Sequence, residues 1–141
     1  MGVIYRTYGR DEFYATTYTG SPIAQMQMLE DVLGEEIKGA VVFYEELNTF
    51  VNAGTTRSLL HRAGYLKNSL LRLGAKSVEP INAMSARKFL GFKNKKEVAD
   101  WFKKFNINGD EADAMVVMLY ALAMPLELLT EESVICLRNR L

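Results

Sequence analysis

The sequence contains one cysteine, one histidine and no long apolar segment, and each of these scarcities excludes a class of protein. Cys136 is the single cysteine in 141 residues, so an internal disulfide is excluded and a reducing compartment is indicated. His61 has no second histidine or nearby cysteine, which makes it a weak metal-ligand candidate. No apolar run approaches the length that a transmembrane helix needs, and the N-terminus has no basic region followed by an apolar one. We therefore expect a cytoplasmic protein that does not enter a membrane.

The net charge is zero, but the charges are unevenly distributed along the chain. Residues 1–55 carry 3 basic and 8 acidic side chains, residues 56–105 carry 12 and 3, and residues 106–141 carry 2 and 6, which gives net charges of −5, +9 and −4. Because Lys and Arg gain affinity for nucleic acid by releasing phosphate counterions, the basic middle favours a polyanionic partner. The alternative is a set of solvated helix faces that the acidic flanks balance.

The N-terminal part of the chain predicts a hairpin followed by a helix. Residues 2–8 and 12–18 are rich in aromatic and β-branched side chains on either side of a short turn, which is typical of a β-hairpin. Ser21 suits the N-cap of a helix over residues 22–33, and Gly34 is expected to end that helix.

The remainder of the chain predicts further strands alternating with helices. The continuous apolar run of residues 40–44 is typical of a strand that is buried on both faces and therefore central in a sheet. A loop over residues 48–53, a helix over 55–73 and a strand over 75–80 follow. Further helices are expected at residues 82–90, 95–105 and 110–126. This order of elements predicts an α/β protein with a mixed sheet.

Three carboxylate side chains lie at positions that an α/β fold can bring close together. Glu45 ends the apolar strand, and functional groups collect at the carboxyl ends of strands in open α/β sheets. Asp110 and Asp113 are three residues apart at the start of a strongly apolar helix, so both project from one helical face. Converging carboxylates can hold one or two Mg²⁺ ions, which activate water for phosphodiester cleavage. The alternative is helix-start chemistry alone, with Asp110 as the N-cap and both acids stabilised by the helix dipole.

This order of parts resembles the RuvC-type Holliday junction resolvases, nucleases of the RNase H-like superfamily. The resemblance covers residues 2 to about 124, and its most specific element is an Asp-x-x-Asp-Ala signature that opens the last core helix, matched by residues 110–114. Glu45 matches a glutamate that follows an apolar strand, and Lys95 matches a lysine that precedes an apolar helix position. Weaker matches in the same order are a long helix with Gly64, a strand end with Pro80 and a helix leading to Gly91.

One part of the family pattern has no counterpart in this sequence. Family members begin with a strand that carries the first catalytic aspartate, whereas residues 1–4 match the second strand better, and Asp11 in the hairpin turn is a poor substitute. Either the sequence begins too late, or the protein is a degenerate member that keeps a nucleic-acid-binding shape without full activity. Because losing a central strand leaves unpaired backbone edges, we expect a shortened form to dimerise or exchange strands.

The resemblance implies a single RNase H-like domain over residues 1–141, a mixed sheet flanked by helices that lacks the first strand, with a C-terminal tail from about residue 127. It implies a homodimeric endonuclease that resolves branched DNA, with a non-catalytic domain that binds branched DNA or a protein as the alternative. A third interpretation is a small binding domain whose acids are only helix caps. The implied ligands of Mg²⁺ or Mn²⁺ are Glu45, Asp110 and Asp113. Lys95 is expected to contact or polarise the scissile phosphate, and the alternative is an exposed lysine at a helix start. The implied DNA-binding residues are Arg87, Lys88, Lys93, Lys95 and Lys96.

Several other residues are expected to have structural roles only. Glu111 is interpreted as part of the helix start, and His61 and Cys136 are expected to pack among apolar side chains. Trp101 and Phe105 are at helical spacing and are expected to belong to the core rather than to stack on bases.

Overall fold

The computed structural model describes residues 1–46 and 53–140, and the side chains of residues 1–46 and 60–138. The chain divides into two compact units. The first unit consists of Met1–Tyr18 and Ala83–Leu141, and the second unit consists of Thr19–Asn82. None of the helices in the described ranges is long and apolar enough to cross a membrane. The prediction of one domain over residues 1–141 stays a prediction.

The described residues confirm the α/β class. In chain order the elements are β1 (Gly2–Tyr5), β2 (Phe13–Thr17), α1 (Pro22–Ile37), β3 (Val41–Glu46), α2 (Ala53–Arg72), β4 (Ser77–Asn82), α3 (Ala83–Leu90), α4 (Lys95–Phe102), α5 (Gly109–Ala121) and β5 (Val134–Cys136). Short 3₁₀ helices cover Lys103–Phe105, Leu126–Leu128, Glu131–Ser133 and Leu137–Arg140. The strands form a mixed three-stranded sheet and a separate two-stranded parallel sheet. RNase H-like topology stays a prediction.

The sheet of the first unit contains the predicted hairpin. Strands β1 and β2 are antiparallel, with Gly2 opposite Thr17, and Gly9 in the connecting turn adopts a φ of +81°, which glycine reaches without steric cost. Strand β5 pairs with β2 in parallel, with Phe13 opposite Val134. The C-terminal tail is therefore an integral part of this unit and contributes a strand to its sheet.

The helices of the first unit pack around an aromatic cluster. Trp101 and Phe105 lie 5.5 Å apart between ring centroids, and Phe92 and Phe102 complete the cluster. Phe105 is buried, as predicted, whereas Trp101 is half-buried and carries the ammonium of Lys104 4.0 Å from its ring centroid. The helix predicted over residues 95–105 is thus an α-helix with a 3₁₀ turn at its end.

Helix α1 begins as predicted but ends later. Ser21 is its N-cap, and the Ser21 hydroxyl accepts a hydrogen bond from the N–H of Ala24 at 3.1 Å. The predicted end at Gly34 is wrong, because the helix continues to Ile37. Leu33 and Ile37 are both buried, so one apolar face continues past the glycine. Burying a large aliphatic side chain stabilises the fold by about 1.5–3 kcal/mol. This exceeds the destabilisation of about 0.5–1 kcal/mol that a glycine causes within a helix.

The sheet of the second unit differs from its prediction. Strands β3 and β4 are parallel, from Val41 opposite Ser77 to Glu46 opposite Asn82. The prediction that β3 is buried on both faces is wrong, because Val41 is 54% exposed and Phe43 is 37% exposed. Pro80 does not end β4 but lies within it. Within the described ranges β4 is an edge strand, where the missing N–H of proline is tolerated.

Candidate functional site

The start of α5 is set by a reciprocal pair of hydrogen bonds, and it carries both predicted aspartates. The Asn108 side chain accepts a hydrogen bond from the N–H of Glu111 at 2.8 Å, and the Glu111 side chain accepts one from the N–H of Asn108 at 2.9 Å. Asn108 is therefore the N-cap, and the interpretation of Asp110 as the N-cap is wrong. Asp110 lies in the first helical turn and is exposed, where the helix dipole still favours a negative charge.

Two predicted site residues from different helices meet in the structure. The Lys95 ammonium lies 3.9 Å from a carboxylate oxygen of Asp113. Lys95 is the first residue of α4, Asp113 lies one turn into α5, and the two helices pack against each other. The lysine side chain is 65% exposed and that of Asp113 is 24% exposed. An ion pair this exposed stabilises the fold by about 0–1 kcal/mol. The pair is therefore informative about the positions of the two side chains rather than about stability.

The backbone beside Asp110 is fixed by strand β1. A Cβ atom at Gly2 would lie 2.1 Å from the carbonyl oxygen of Asp110 and 2.7 Å from the backbone nitrogen of Glu111. The strand therefore approaches the first turn of α5 as closely as a residue without a side chain permits. Two elements that are distant in sequence thus hold the turn that presents the Asp110 carboxylate.

The predicted DNA-binding residues all belong to the first unit. Residues 83–105 carry seven basic and two acidic side chains, a net charge of +5. Four of the five predicted residues are exposed and Arg87 is half-buried; the exposed ones are Lys88, Lys93, Lys95 and Lys96. The turn between α3 and α4 is ordered by Glu97, which accepts a hydrogen bond from the N–H of Lys93 at 2.6 Å. The exposed lysines of α3, α4 and the turn between them make this part of the first unit positively charged, and Lys95 is the one that lies near Asp113.

Glu45 lies in β3 and is half-buried. It belongs to the second unit, whereas Asp110 and Asp113 belong to the first. The predicted convergence of the three carboxylates therefore stays a prediction. Among residues 1–46 and 53–140, no group of three or more His, Cys, Asp or Glu side chains is arranged to hold a metal ion.

Glu111 has a larger role than the sequence indicated. Its side chain is fully buried, and Arg138 donates hydrogen bonds to both of its carboxylate oxygens, at 2.7 and 2.9 Å. Thr17 donates a third, at 2.9 Å, and itself accepts a hydrogen bond from the Asn108 side chain at 2.8 Å. The spacing of Asn108 and Glu111 is a recognisable capping-box signal, but no local pattern pairs Glu111 with an arginine 27 residues further along.

These contacts keep Glu111 ionised. Burial opposes its ionisation, but the hydrogen bonds from Arg138, Asn108 and Thr17, together with the charge of Arg138, lower the pKa of Glu111 below its ordinary value. Both carboxylate oxygens are engaged by donors within the protein. Glu111 therefore serves as a structural anion and is not part of the candidate metal site.

Three further predictions concern residues outside the proposed site. His61 was expected to pack, but it is exposed on α2, so that prediction is wrong. Cys136 is half-buried in β5. Arg62 on α2 donates a hydrogen bond to the buried side chain of Gln25 at 2.5 Å. Residues 48–52 of the predicted loop lie outside the described residues.

No family model, curated protein or solved structure matches this chain. The resemblance to RuvC-type resolvases therefore stays a prediction, and so do the nuclease activity and the metal that it implies. The geometry around Lys95 and Asp113 is the evidence on which a function can be proposed.

Proposed function

We propose that the protein is a metal-dependent endonuclease that binds branched DNA, including Holliday junctions, and hydrolyses its phosphodiester bonds. The observation that carries the proposal is the 3.9 Å approach of the Lys95 ammonium to the Asp113 carboxylate. A largely exposed lysine at this position is accessible to a phosphate of the DNA backbone. Its charge would then stabilise the negative charge that develops on the phosphate oxygens during cleavage.

The chemistry of Asp110 and Asp113 suits Mg²⁺ or Mn²⁺. They offer carboxylate oxygens one helical turn apart, and Mg²⁺ is typically held by one or two carboxylates, water and substrate phosphates rather than by a complete protein cage. The predicted third ligand, Glu45, belongs to the second unit, and its part in the site stays a prediction. When bound, the ion would supply an activated water and neutralise charge on the phosphate.

The basic surface of α3 and α4 supports DNA as the partner. Lys88, Lys93 and Lys96 are exposed, and they lie on the same unit as the proposed site. Together with Arg87 they would contact phosphates and set the position of the DNA without reading its sequence. Such binding weakens steeply as the salt concentration rises.

A homodimer follows from the proposed reaction. Resolving a four-way junction requires two strands of the same polarity to be cut symmetrically. Two identical sites related by a two-fold axis meet that requirement, and two-fold dimers are the commonest oligomers.

The second candidate function is binding of branched DNA or a protein partner without cleavage. Two observations favour it. The ammonium of Lys95 lies 3.9 Å from the Asp113 carboxylate and offsets part of its charge. In the described ranges no third acidic side chain completes a metal-binding group around the aspartates.

A four-way DNA junction distinguishes the candidates, with a linear duplex of the same sequence as the control. Binding is measured at low salt without a divalent ion, and cleavage is measured with Mg²⁺ or Mn²⁺. The nuclease proposal predicts selective binding and metal-dependent cleavage of the junction. Selective binding without cleavage would support the second function, and the absence of both would overturn both candidates.

A further inference from the structure

The chain leaves the end of α5 through a strained residue. Ala123 has a φ of +51°, in the left-handed region that side chains other than glycine disfavour. Its N–H donates a hydrogen bond to the carbonyl of Tyr120 at 3.0 Å. The N–H of Met124 donates one to the carbonyl of Leu119 at 2.9 Å. These two hydrogen bonds form a Schellman motif, in which glycine usually occupies the position that Ala123 has here. The backbone is therefore held at this point against its own preference.

The segment that follows, residues 124–138, is held by few apolar contacts, and we name it the C-terminal strap. Two of its side chains are buried, those of Leu129 and Val134. Strand β5 has three residues and lies at the edge of its sheet within the described ranges, whereas β1 and β2 pair with each other without it. Little apolar burial is typical of segments that open locally while the rest of the protein stays folded.

The far end of the strap is anchored by Arg138. Its guanidinium donates hydrogen bonds to both carboxylate oxygens of Glu111, which is fully buried on α5. The side-chain hydrogen bonds between Thr130 and Ser133, by contrast, stay within the strap. Departure of Arg138 would leave a buried carboxylate without its opposite charge, which is strongly unfavourable. The ion pair therefore opposes opening at the end of the strap that lies furthest from Ala123.

The anchor also touches the start of α5. The carboxylate oxygen Oε1 of Glu111 accepts one hydrogen bond from Arg138 and another from the N–H of Asn108, both at 2.9 Å. The guanidinium and the capping box therefore share one oxygen atom. If Arg138 departs, the carboxylate is stabilised by turning towards water, and this movement breaks its hydrogen bond to the N-cap. Closure of the strap and order in the first turn of α5 are coupled in this way.

We propose that the C-terminal strap opens and closes as one segment about Ala123, is fastened by Arg138 on Glu111, and holds the first turn of α5 when it is closed. The inference rests on the proposed function in one respect, because Asp110 in that turn is a proposed metal ligand. The strap would then regulate the site, and by reciprocity a ligand that orders the turn would favour closure. Opening itself requires neither DNA nor metal.

Hydrogen–deuterium exchange tests the anchor. Arg138→Gln should raise the exchange rates of β5 and of the first turn of α5 together, by at least about tenfold, and should leave α4 unchanged. The matched control is Glu132→Gln, which removes a charge from an exposed side chain of the strap and should exchange like the parent. No increase in Arg138→Gln would overturn the inference. An equal increase throughout the first unit would also overturn it, because the strap would then open only when the unit unfolds.

A second variant tests the hinge without removing a contact. Glycine adopts a positive φ without strain, so Ala123→Gly should favour the closed strap and slow the exchange of β5 by about threefold. Unchanged or faster exchange would overturn the assignment of Ala123 as the hinge.

Thiol labelling provides an independent readout, because Cys136 is the single cysteine of the sequence and is half-buried in β5. Relative to the parent, its labelling should be faster in Arg138→Gln and slower in Ala123→Gly. Equal labelling rates in the three proteins would contradict opening of the strap. Neither measurement contains DNA or metal, so its failure is distinguishable from failure of the junction assay.

Discussion

Arg138 donates hydrogen bonds to both carboxylate oxygens of the buried Glu111 and so links the C-terminal 3₁₀ helix to the start of α5. The same carboxylate accepts a hydrogen bond from Thr17 in β2, so three segments that are distant in sequence meet at one anion. Asp110, the preceding residue, is exposed. Two adjacent acids in one helical turn therefore differ in environment: Glu111 is a buried structural anion, and Asp110 is exposed to solvent.

Replacing Glu111 should destabilise the first unit strongly. Breaking a buried ion pair by removing one partner costs about 3–5 kcal/mol, and the lower end applies here because Arg138 is 35% exposed and can turn to water. Urea unfolding of Glu111→Ala measures the loss of unfolding free energy. The matched control is Asp110→Ala, which alters the neighbouring exposed acid. This variant should lose much less unfolding free energy than Glu111→Ala. Equal losses in the two variants would contradict the assignment of Glu111 as the structural anion.

The same carboxylate should make stability depend on acid pH. Because the pKa of Glu111 is lowered in the folded state, its stabilising effect is complete above its ordinary value of 4.5 and is lost as the pH falls below that value towards the folded pKa. The unfolding free energy of the parent should therefore fall with decreasing pH in this range. The decrease should be shallower in Glu111→Gln, which cannot titrate at this position. Parallel pH profiles for parent and variant would be evidence against a lowered pKa.

A methyl group at Gly2 should disturb the start of α5. Because its Cβ would lie 2.1 Å from the Asp110 carbonyl oxygen, Gly2→Ala must displace β1 or the helix, and overpacking of this kind costs at least about 1–3 kcal/mol. Gly34→Ala is the opposite case. No atom lies within 4 Å of its added Cβ, and alanine in a helix is more stable than glycine by about 0.5–1 kcal/mol. Thermal unfolding should give a lower midpoint for the first variant and a higher one for the second.

Removal of the Lys95 charge should weaken DNA binding and make it less dependent on salt concentration. Each phosphate contact contributes about 0.9 to the slope of log affinity against log salt for duplex DNA, so Lys95→Ala should reduce that slope by about one contact. Lys76→Ala is the control, since Lys76 is an exposed lysine of the second unit outside the proposed surface. Fluorescence anisotropy with a labelled four-way junction gives both slopes. A slope unchanged in Lys95→Ala would remove this lysine from the DNA interface.

Local patterns predicted most of the elements because their causes are local. The hairpin and the N-cap at Ser21 depend on residue types within a few positions, and both are confirmed. The burial of β3 was predicted wrongly because an apolar run gives no information about what covers it. Gly34 was predicted to end a helix that the burial of Ile37 extends. The N-cap was assigned to Asp110 although Asn108 two residues earlier makes the capping box.

The candidate site was predictable in part. Asp113 and Lys95 were both selected from the sequence, and the packing of α4 on α5 brings them together. The buried partner of Glu111 was not foreseen, because the position of Arg138 depends on how the tail returns to pair with β2. Glu45 was selected from its place at a strand end, and its relation to the aspartates depends on long-range packing that no spacing in the sequence specifies.

Metal-dependent cleavage of a four-way junction by the parent and by Asp113→Asn is the most direct measurement of the proposed function. The substitution keeps the size of the side chain and removes the charge that would bind Mg²⁺ or Mn²⁺. The control Asp31→Asn alters an exposed acid of the second unit. The proposal predicts cleavage by the parent and by Asp31→Asn, and junction binding without cleavage by Asp113→Asn. No cleavage by the parent with either ion, or undiminished cleavage by Asp113→Asn, would contradict it.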